Sequence, residues 1–324
     1  MPPQPLQTLT VSVINYRTAE LTLACIGSVL PEIAGMDAGI VVVDNCSGDG
    51  SAEVIEDWIA SQDPPVPVRL LRSPTNSGFS GGHNQGIAAG PARFYLVLNS
   101  DALLRPGAIR ALLEAAAADP AAGLIAPRIE TEDGTQLTSC FRVHSPASEL
   151  IRGAASGPVT RLLGRHEVAL RTPHPETGIG WASFACILLR GAMVDAIGPM
   201  DEGYFLYFED VEYCLRARRA GWHIRHVPEA RMVHFSGGSG PVKALAAQRR
   251  RLPEYYYASR TRLFRQAHGR AGPLAANLAW LLGRGIARLR LLAGKPVPAA
   301  NAGEWRDLWI NFRTPLGDRR EPGR

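Results

Sequence analysis

Four short apolar runs recur through the first hundred residues, and their ends carry polar side chains. They occupy residues 9–14 (LTVSVI), 39–43 (GIVVV), 66–71 (VPVRLL) and 94–98 (FYLVL), with the length and β-branching of buried strands. Segments of helical character lie between them at 19–30, 51–60 and 82–89, and another follows at 106–118. Pro31 is placed to stop the first helix, and Ser51 to cap the second, with Glu53 and Glu56 in its first turns. Strands joined through helices do not pair as hairpins; they form a mainly parallel sheet covered on both faces. Such a sheet binds ligands beyond the carboxyl ends of its strands. Those ends carry Asn15, then Asp44 and Asn45, then Asn99 and Asp101.

Residues 127–180 are richer in Gly, Pro, Ser and Thr and show little periodicity, which suits a variable insertion or lid. From Trp181 the chain turns apolar again (WASFACILLRG) and then enters the acidic, aromatic stretch DEGYFLYFEDVEYCLRARRAGW. The segment SGGSGPV at 236–242 has the composition of a flexible joint. Beyond it the pattern is mostly helical, broken at Pro253 and Pro273. The expected organisation is an α/β unit over residues 1–240 and a basic helical extension over 241–324.

Charge divides near the same place. Residues 1–242 hold 18 Arg and no Lys against 25 acids, a net of −7, while 243–324 hold 17 basic residues against 5 acids, a net of +12. The acidic part suits a bound cation and the basic part an anionic surface. No apolar run reaches the roughly 18 residues of a spanning helix. The N-terminus MPPQPLQTLT has neither the charge nor the apolar core of a secretory signal. Five scattered cysteines without a C-x-x-C pair suit a reducing compartment, so the chain is expected in the cytoplasm.

Several segments carry chemistry. Asn99-Ser100-Asp101 closes the fourth strand, where a carboxylate suits Mg2+ or Mn2+, hard ions that take oxygen ligands and bridge diphosphates. An isolated N-x-D equally caps a turn. Asp44, in VVVDNCSGDGS, can accept the imide N–H of uracil or thymine or bind ribose hydroxyls; alone it reads as an Asx-turn. In NSGFSGGHNQG (76–86), Gly78, Gly81, Gly82 and Gly86 bring backbone N–H groups to a turn before a helix, within reach of phosphate or sugar. This is not a P-loop, since no Lys precedes Lys243, nor is there a G-x-G-x-x-G after the first strand. Glu209 and Asp210 follow Tyr204, Phe205, Tyr207 and Phe208. An aromatic wall desolvates carboxylates and raises their basicity, which fits one of them for deprotonating a hydroxyl. Acids at a helix N-terminus also serve its dipole. His234 lies in VHFSGGS, and a lone His is readily structural.

Taken in order, VSVINYRTAELTLACIGSVL, VVVDNCSGDGS, NSGFSGGHNQGI, LNSDALL, FLYFEDVEYCLRARRAGW and VHFSGGS resemble glycosyltransferase family 2. The narrower resemblance is to its bacterial rhamnosyltransferase-like members, over about residues 9–240. It implies the GT-A fold and inverting transfer of a sugar, such as L-rhamnose, from a dTDP- or UDP-linked donor. The implied acceptor is a hydroxyl of a glycan or a polyprenyl-diphosphate-linked glycan. Asp44 would contact the base or ribose, with Asn15 and Tyr16 nearby, and Asn76, Gly78 and Asn84 would shape the sugar-nucleotide loop. Asp101 takes the last position of the family's D-x-D metal motif, with Asn99 in place of the first Asp, and His234 matches an extra metal ligand. Asp210 matches the catalytic base and Glu209 its orienting neighbour, while Trp181 would line the donor or acceptor pocket. Where the family reads S-G-A after that Trp, this chain has Ser183-Phe184-Ala185, which bears on the shape of the sugar pocket.

In the basic extension, Leu274, Leu278, Leu281, Leu282, Ile286 and Leu289 fall at helical spacing, with Arg284, Arg288 and Arg290 off the stripe. Trp280 and Tyr255, Tyr256 and Tyr257 could sit at a headgroup boundary. The pattern fits a helix lying on the anionic inner face of the cytoplasmic membrane, and equally a helix packing its Leu stripe on the rest of the chain. A competing reading makes the extension a nucleic-acid-binding arm. It leaves Asp44, Asp101 and Asp210 without a role and sets a phosphate backbone against an acidic unit. A sugar-binding module without activity has no need of both Asp101 and Asp210. A processive polysaccharide synthase needs spanning helices and an aromatic after its Q-x-x-R, where this chain has Gln248-Arg249-Arg250-Arg251-Leu252.

Overall fold

The computed structural model describes residues 7–63, 66–171, 178–235 and 241–322; most of the joint expected at 236–242 lies outside the described residues. The first half runs β1 (Gln7–Asn15), α1 (Ala19–Ile33), β2 (Ala38–Asp44), α2 (Ser51–Ala60), β3 (Val68–Arg72), α3 (Gly78–Ala88), β4 (Ala92–Asn99), β5 (Ala102–Leu104) and α4 (Ala108–Ala118). Next come β6 (Ala122–Glu130), β7 (Cys140–Phe141), α5 (Pro146–Ala154), α6 (Gly157–Leu162), β8 (Trp181–Ala182), β9 (Cys186–Arg190), α7 (Gly191–Ile197), α8 (Glu209–Arg219) and β10 (His223–His234). The extension contributes α9 (Val242–Ala247), α10 (Glu254–His268), α11 (Gly272–Arg288) and α12 (Glu304–Asp307).

One sheet of order β3-β2-β1-β4-β9-β6-β10-β5 forms the centre. β1 pairs in parallel with β2 and β4, and β2 with β3, as the crossover helices require. β9 enters antiparallel between β4 and β6, β10 runs parallel to β6, and β5 closes the edge antiparallel to β10. Alternation along β4 shows both faces covered: Leu96 and Leu98 pack with α1 and α4, Tyr95 and Val97 with α7 and α8. The mixed α/β class is as the sequence predicts.

Several details differ from expectation. α1 continues through Pro31 to Ile33, because a missing N–H in the last turn breaks only one bond of the helix. α2 is capped by Gly50 at φ 89°, and Asp49, not Ser51, accepts the first N–H. α3 starts at Gly78 instead of Gly82. Its glycines serve packing: a Cβ on Gly82 would lie 2.7 Å from Ile14 Cδ1, and one on Gly86 2.2 Å from Ser12 Oγ. They lay the helix on β1 and are buried, so they form no open phosphate cradle. Residues 122–130 form β6, a buried strand of the sheet, so the insertion begins beyond it.

The helix α5 of that insertion packs against α11, backbone close to backbone. A Cβ on Gly153 would lie 2.3 Å from Trp280 O, and one on Gly283 2.5 Å from Leu150 O. Glu149 of α5 sits buried against Arg260 of α10 (2.7 Å), which also donates to Asn277 of α11 (2.8 Å). Burial alone would raise the Glu149 carboxyl, but Arg152 and Arg260 hold it down at about 2. Trp280, Tyr255 and Tyr257, considered above for a headgroup boundary, lie in the core, while Leu274, Leu278, Leu282 and Leu289 face outward. Among the described residues, no helix is long and apolar enough to cross a membrane.

Candidate active site

The register of the parallel strands aligns their polar ends. Asn15 sits opposite Asp44, and Ile14 opposite Asn99, at the point where the order turns from β1 to β4. Buried Asn15 is a hub: its Nδ2 donates to Asp44 Oδ1 (2.7 Å) and Ser47 Oγ (3.1 Å), and its Oδ1 accepts from Thr22 Oγ1 (3.0 Å). Ser47 also donates to Asp44 Oδ1 at 2.5 Å, so the carboxylate is oriented before any ligand arrives. Tyr16 is exposed beside it, with the Arg17 guanidinium 5.2 Å from its ring centroid.

The loop before α3 closes on the same corner. Asn45 donates to Asn76 Oδ1 (3.1 Å) and to the Gly78 carbonyl (3.0 Å), and accepts from the Ser77 N–H (2.9 Å). Gly78 is required: its φ is +74°, and a Cβ would lie 2.2 Å from Phe205 O. That carbonyl accepts the Phe79 N–H at 2.9 Å, so this loop touches the aromatic segment before Glu209 directly. Asn84 ties α3 to the same segment, accepting from the Met200 N–H (2.9 Å) and donating to the Met200 carbonyl (2.9 Å).

Pairing of β5 with β10 sets His234 opposite Ala102 and brings it to Asp101 across the whole domain. His234 Nε2 lies 3.2 Å from Asp101 Oδ1. Both Asp101 oxygens and this nitrogen are buried without a well-formed hydrogen bond. Buried, unpartnered oxygens are what a hard cation would satisfy, and an imidazole nitrogen beside them completes a compatible donor pair. Among the described residues no cluster of three His, Cys, Asp or Glu forms a complete cage. Asn99 is half-buried at the end of β4, its N–H donating to the Ala185 carbonyl at 3.0 Å.

Glu209 and Asp210 open α8. Tyr207 and Phe208 before them both have φ 71°, a strained left-handed conformation for aromatic residues. Burial pushes the Asp210 carboxyl up to about 7, against the hydrogen bonds it accepts from the Val211 and Phe184 N–H groups. Glu209 is raised well above the usual range by burial and by Asp210, and its Oε2 has no partner. Burial raises the Tyr207 phenol first, and Tyr255, Glu209, Tyr256 and Asp101 raise it further. Phe184 turns its ring away from the mouth into the core against Tyr213, 6.0 Å between centroids, and only its backbone meets Asp210. Trp181 is half-buried, stacked on Phe141 at 4.0 Å and donating to the Arg142 carbonyl at 3.0 Å.

Ser47, which sits at the corner of Asn15 and Asp44, escapes sequence reasoning. Its only signal is its place three residues after Asp44, whose carboxylate accepts the Ser47 N–H at 3.2 Å.

A family model for glycosyl transferase family 2 matches residues 10–165. The chain is similar to the N-acetylglucosaminyl-diphospho-decaprenol L-rhamnosyltransferase of Mycobacterium tuberculosis, 34% identical over 227 residues, 64% of this chain and 71% of that protein. It is also similar to a low-salt glycan biosynthesis hexosyltransferase of Haloferax volcanii, 27% identical over 71% of this chain and 67% of that one. A mannosyltransferase from Pyrobaculum calidifontis, solved in complex with GDP-Man and Mn2+, aligns over 97% of this chain and 86% of its own at a TM-score of 0.55 and 15% identity. That likeness, with the sheet described above, identifies the fold as GT-A.

Proposed function

The chain belongs to glycosyltransferase family 2, and from that premise we propose that it transfers L-rhamnose, with inversion, from a dTDP- or UDP-linked donor to a sugar hydroxyl of a polyprenyl-diphosphate-linked glycan. Asn15, Asp44 and Ser47 hold the nucleoside, and the Asn76–Gly78 loop shapes the sugar pocket beside it. Asp210 takes the acceptor proton as its oxygen attacks the anomeric carbon; the bond from that carbon to the diphosphate breaks, and the nucleoside diphosphate leaves with the electron pair. Glu209, buried beside it, orients the pair. Asp101 and His234 would hold a divalent cation, Mg2+ or Mn2+, which when bound supplies positive charge for the leaving diphosphate. The exposed Leu face of α11 suits the anionic membrane surface that carries a lipid-linked acceptor.

The observation that carries this reading is a half-buried Asp210, poised to ionise near neutral pH and joined through residues 184–185 to the end of β4. Turnover is measured with dTDP-L-rhamnose and N-acetylglucosaminyl-diphospho-polyprenol for wild type, Asp210→Asn and Glu209→Gln. Asp210→Asn should lose about 10²–10⁴-fold in kcat with donor affinity kept. Near-normal turnover removes Asp210 from the chemistry, and a larger loss in Glu209→Gln exchanges the two roles.

A further inference from the structure

The aromatic segment that leads into Glu209 and Asp210 is held from behind by the C-terminal helices, and the contacts converge on Asp201. Its carboxylate takes paired hydrogen bonds from Arg262 of α10, Nε to Oδ2 at 2.9 Å and Nη2 to Oδ1 at 2.9 Å. Gln266 Nε2 adds another at 2.8 Å, and the Gly203 N–H one at 2.8 Å. Gln266 in turn accepts from the Tyr204 hydroxyl at 2.5 Å. A Cβ on Gly203 would lie 2.1 Å from Arg262 Cζ, so the guanidinium fills the space that a side chain would take. Leu263, the next residue, packs in one cluster with Tyr204, Phe208 and Val211. From the far end of the chain, Arg319 Nη1 donates to the carbonyls of Ser77 (3.1 Å) and Glu202 (3.2 Å), bridging this segment to the loop before α3.

The segment needs such support. Two successive aromatic residues in the left-handed region cost on the order of 1–3 kcal/mol each and persist only when their surroundings impose them. The entry to α8 has no side-chain cap to do so. The support comes from an element far along the chain, α10, and Arg262 makes its strongest polar contact, a bidentate pair with both side chains mostly buried.

We propose that Arg262, acting through Asp201, is a positioning residue for the sugar transfer: it fixes the 201–208 segment so that Asp210 enters its helix at the mouth of the site. The proposal rests on the reading of Asp210 as base. Arg262 itself touches neither the Asp44 corner nor Asp101, and the loop before α3, which meets the segment at Phe205, is held independently through Asn45, so the chemical step depends on Arg262 more than donor binding does. A misplacement of about 1 Å can cost on the order of 10²-fold in rate.

The test compares Arg262→Gln, Arg262→Lys, Asp201→Asn and Asp210→Asn in the full-length chain. Turnover is followed with dTDP-L-rhamnose and N-acetylglucosaminyl-diphospho-polyprenol, and donor affinity by calorimetry with dTDP-L-rhamnose. Arg262→Gln should lose roughly 10–100-fold in kcat at unchanged donor affinity. Arg262→Lys, which keeps one charged bond, should recover part of the loss. Wild-type kcat in Arg262→Gln, or donor affinity falling in parallel with kcat, overturns the proposal. Should Arg262→Gln not fold, the isosteric Asp201→Asn decides by the same two readouts. A dead Asp210→Asn beside a fully active Arg262→Gln sinks the positioning role alone. An active Asp210→Asn beside an impaired Arg262→Gln sinks the base and keeps the positioning of the segment.

Discussion

Asp210 and Glu209 are neighbours of the same chemistry, and their surroundings separate them. Asp210 accepts two backbone N–H groups and keeps some contact with solvent, whereas Glu209 is buried with an oxygen unpartnered. A base with its pKa pushed up to about 7 by burial is protonated in acid, so kcat should fall about tenfold per pH unit below that value and level off above it. A profile flat from pH 5 to 8 removes this assignment. Stability runs the other way. The folded state holds the Asp210 proton more tightly than the unfolded chain does, so its contribution is complete below the unfolded value of 3.8 and is lost as pH rises through about 7. Asp210→Asn never carries that buried charge. In EDTA, its melting temperature relative to wild type should therefore be higher at pH 8 than at pH 5, and an equal difference at both counts against the shift. The Asp101 corner predicts a separate effect: Asp101→Ala should abolish any Mn2+-dependent gain in dTDP-L-rhamnose affinity, and His234→Ala should weaken it. A gain that both variants retain places the cation elsewhere. At this scale the sequence was legible where a polar residue ends a strand, as at Asn15, Asp44 and Asn99. Phe184 was not, because its neighbours in sequence lie at the mouth while its ring turns into the core.

Elements were legible where periodicity and tertiary packing agree. The alternation of β1 to β4 with their helices needed no structure, since buried parallel strands and crossover helices leave unmistakable patterns. α11 shows the opposite case. Its leucines at helical spacing satisfy the pattern of a core-facing stripe, but the face it buries carries Gly272, Ala276, Asn277, Trp280, Gly283 and Ala287. Close approach to α5 is the reason: Gly153 and Gly283 let the two backbones nearly touch, and no leucine would fit there. Spacing alone does not tell which side a tight helix pair selects. The consequence is an apolar strip, Leu274, Leu278, Leu282 and Leu289, from 43% to 60% exposed, beside Arg288. Burying one such side chain is worth about 1.5–3 kcal/mol, and the positive charge of the extension favours an anionic bilayer over a second copy of itself. Leu278→Ser with Leu282→Ser should leave the melting temperature in buffer unchanged and abolish sedimentation with phosphatidylglycerol vesicles at low salt. Wild-type chain that stays in the supernatant with those vesicles would falsify the membrane reading of this face.

At the scale of the whole molecule, the change of charge near residue 242 suggests a cut that the packing does not make. Phe205 shares a cluster with Val242, Tyr255, Tyr257, Trp280 and Leu308, and Tyr204, Phe208 and Val211 share one with Leu263. Glu149 of the insertion closes on Arg260 of the extension, both nearly fully buried, and removing one partner of such a pair typically costs about 3–5 kcal/mol. Composition registers charge and periodicity along the chain; it is blind to which distant surfaces need each other, and the Glu149–Arg260 contact spans 111 residues in sequence. A chain ending at Pro241 would leave Tyr204, Phe205 and Phe208 bare, strand Glu149 without Arg260, and free the strained turn before Asp210 from α10. Such a chain should lose its cooperative thermal transition and near-ultraviolet circular dichroism, and bind anilinonaphthalene sulfonate. A truncated chain that melts cooperatively and binds dTDP-L-rhamnose with wild-type affinity would show instead that residues 1–240 fold alone, and that the extension adds only a surface.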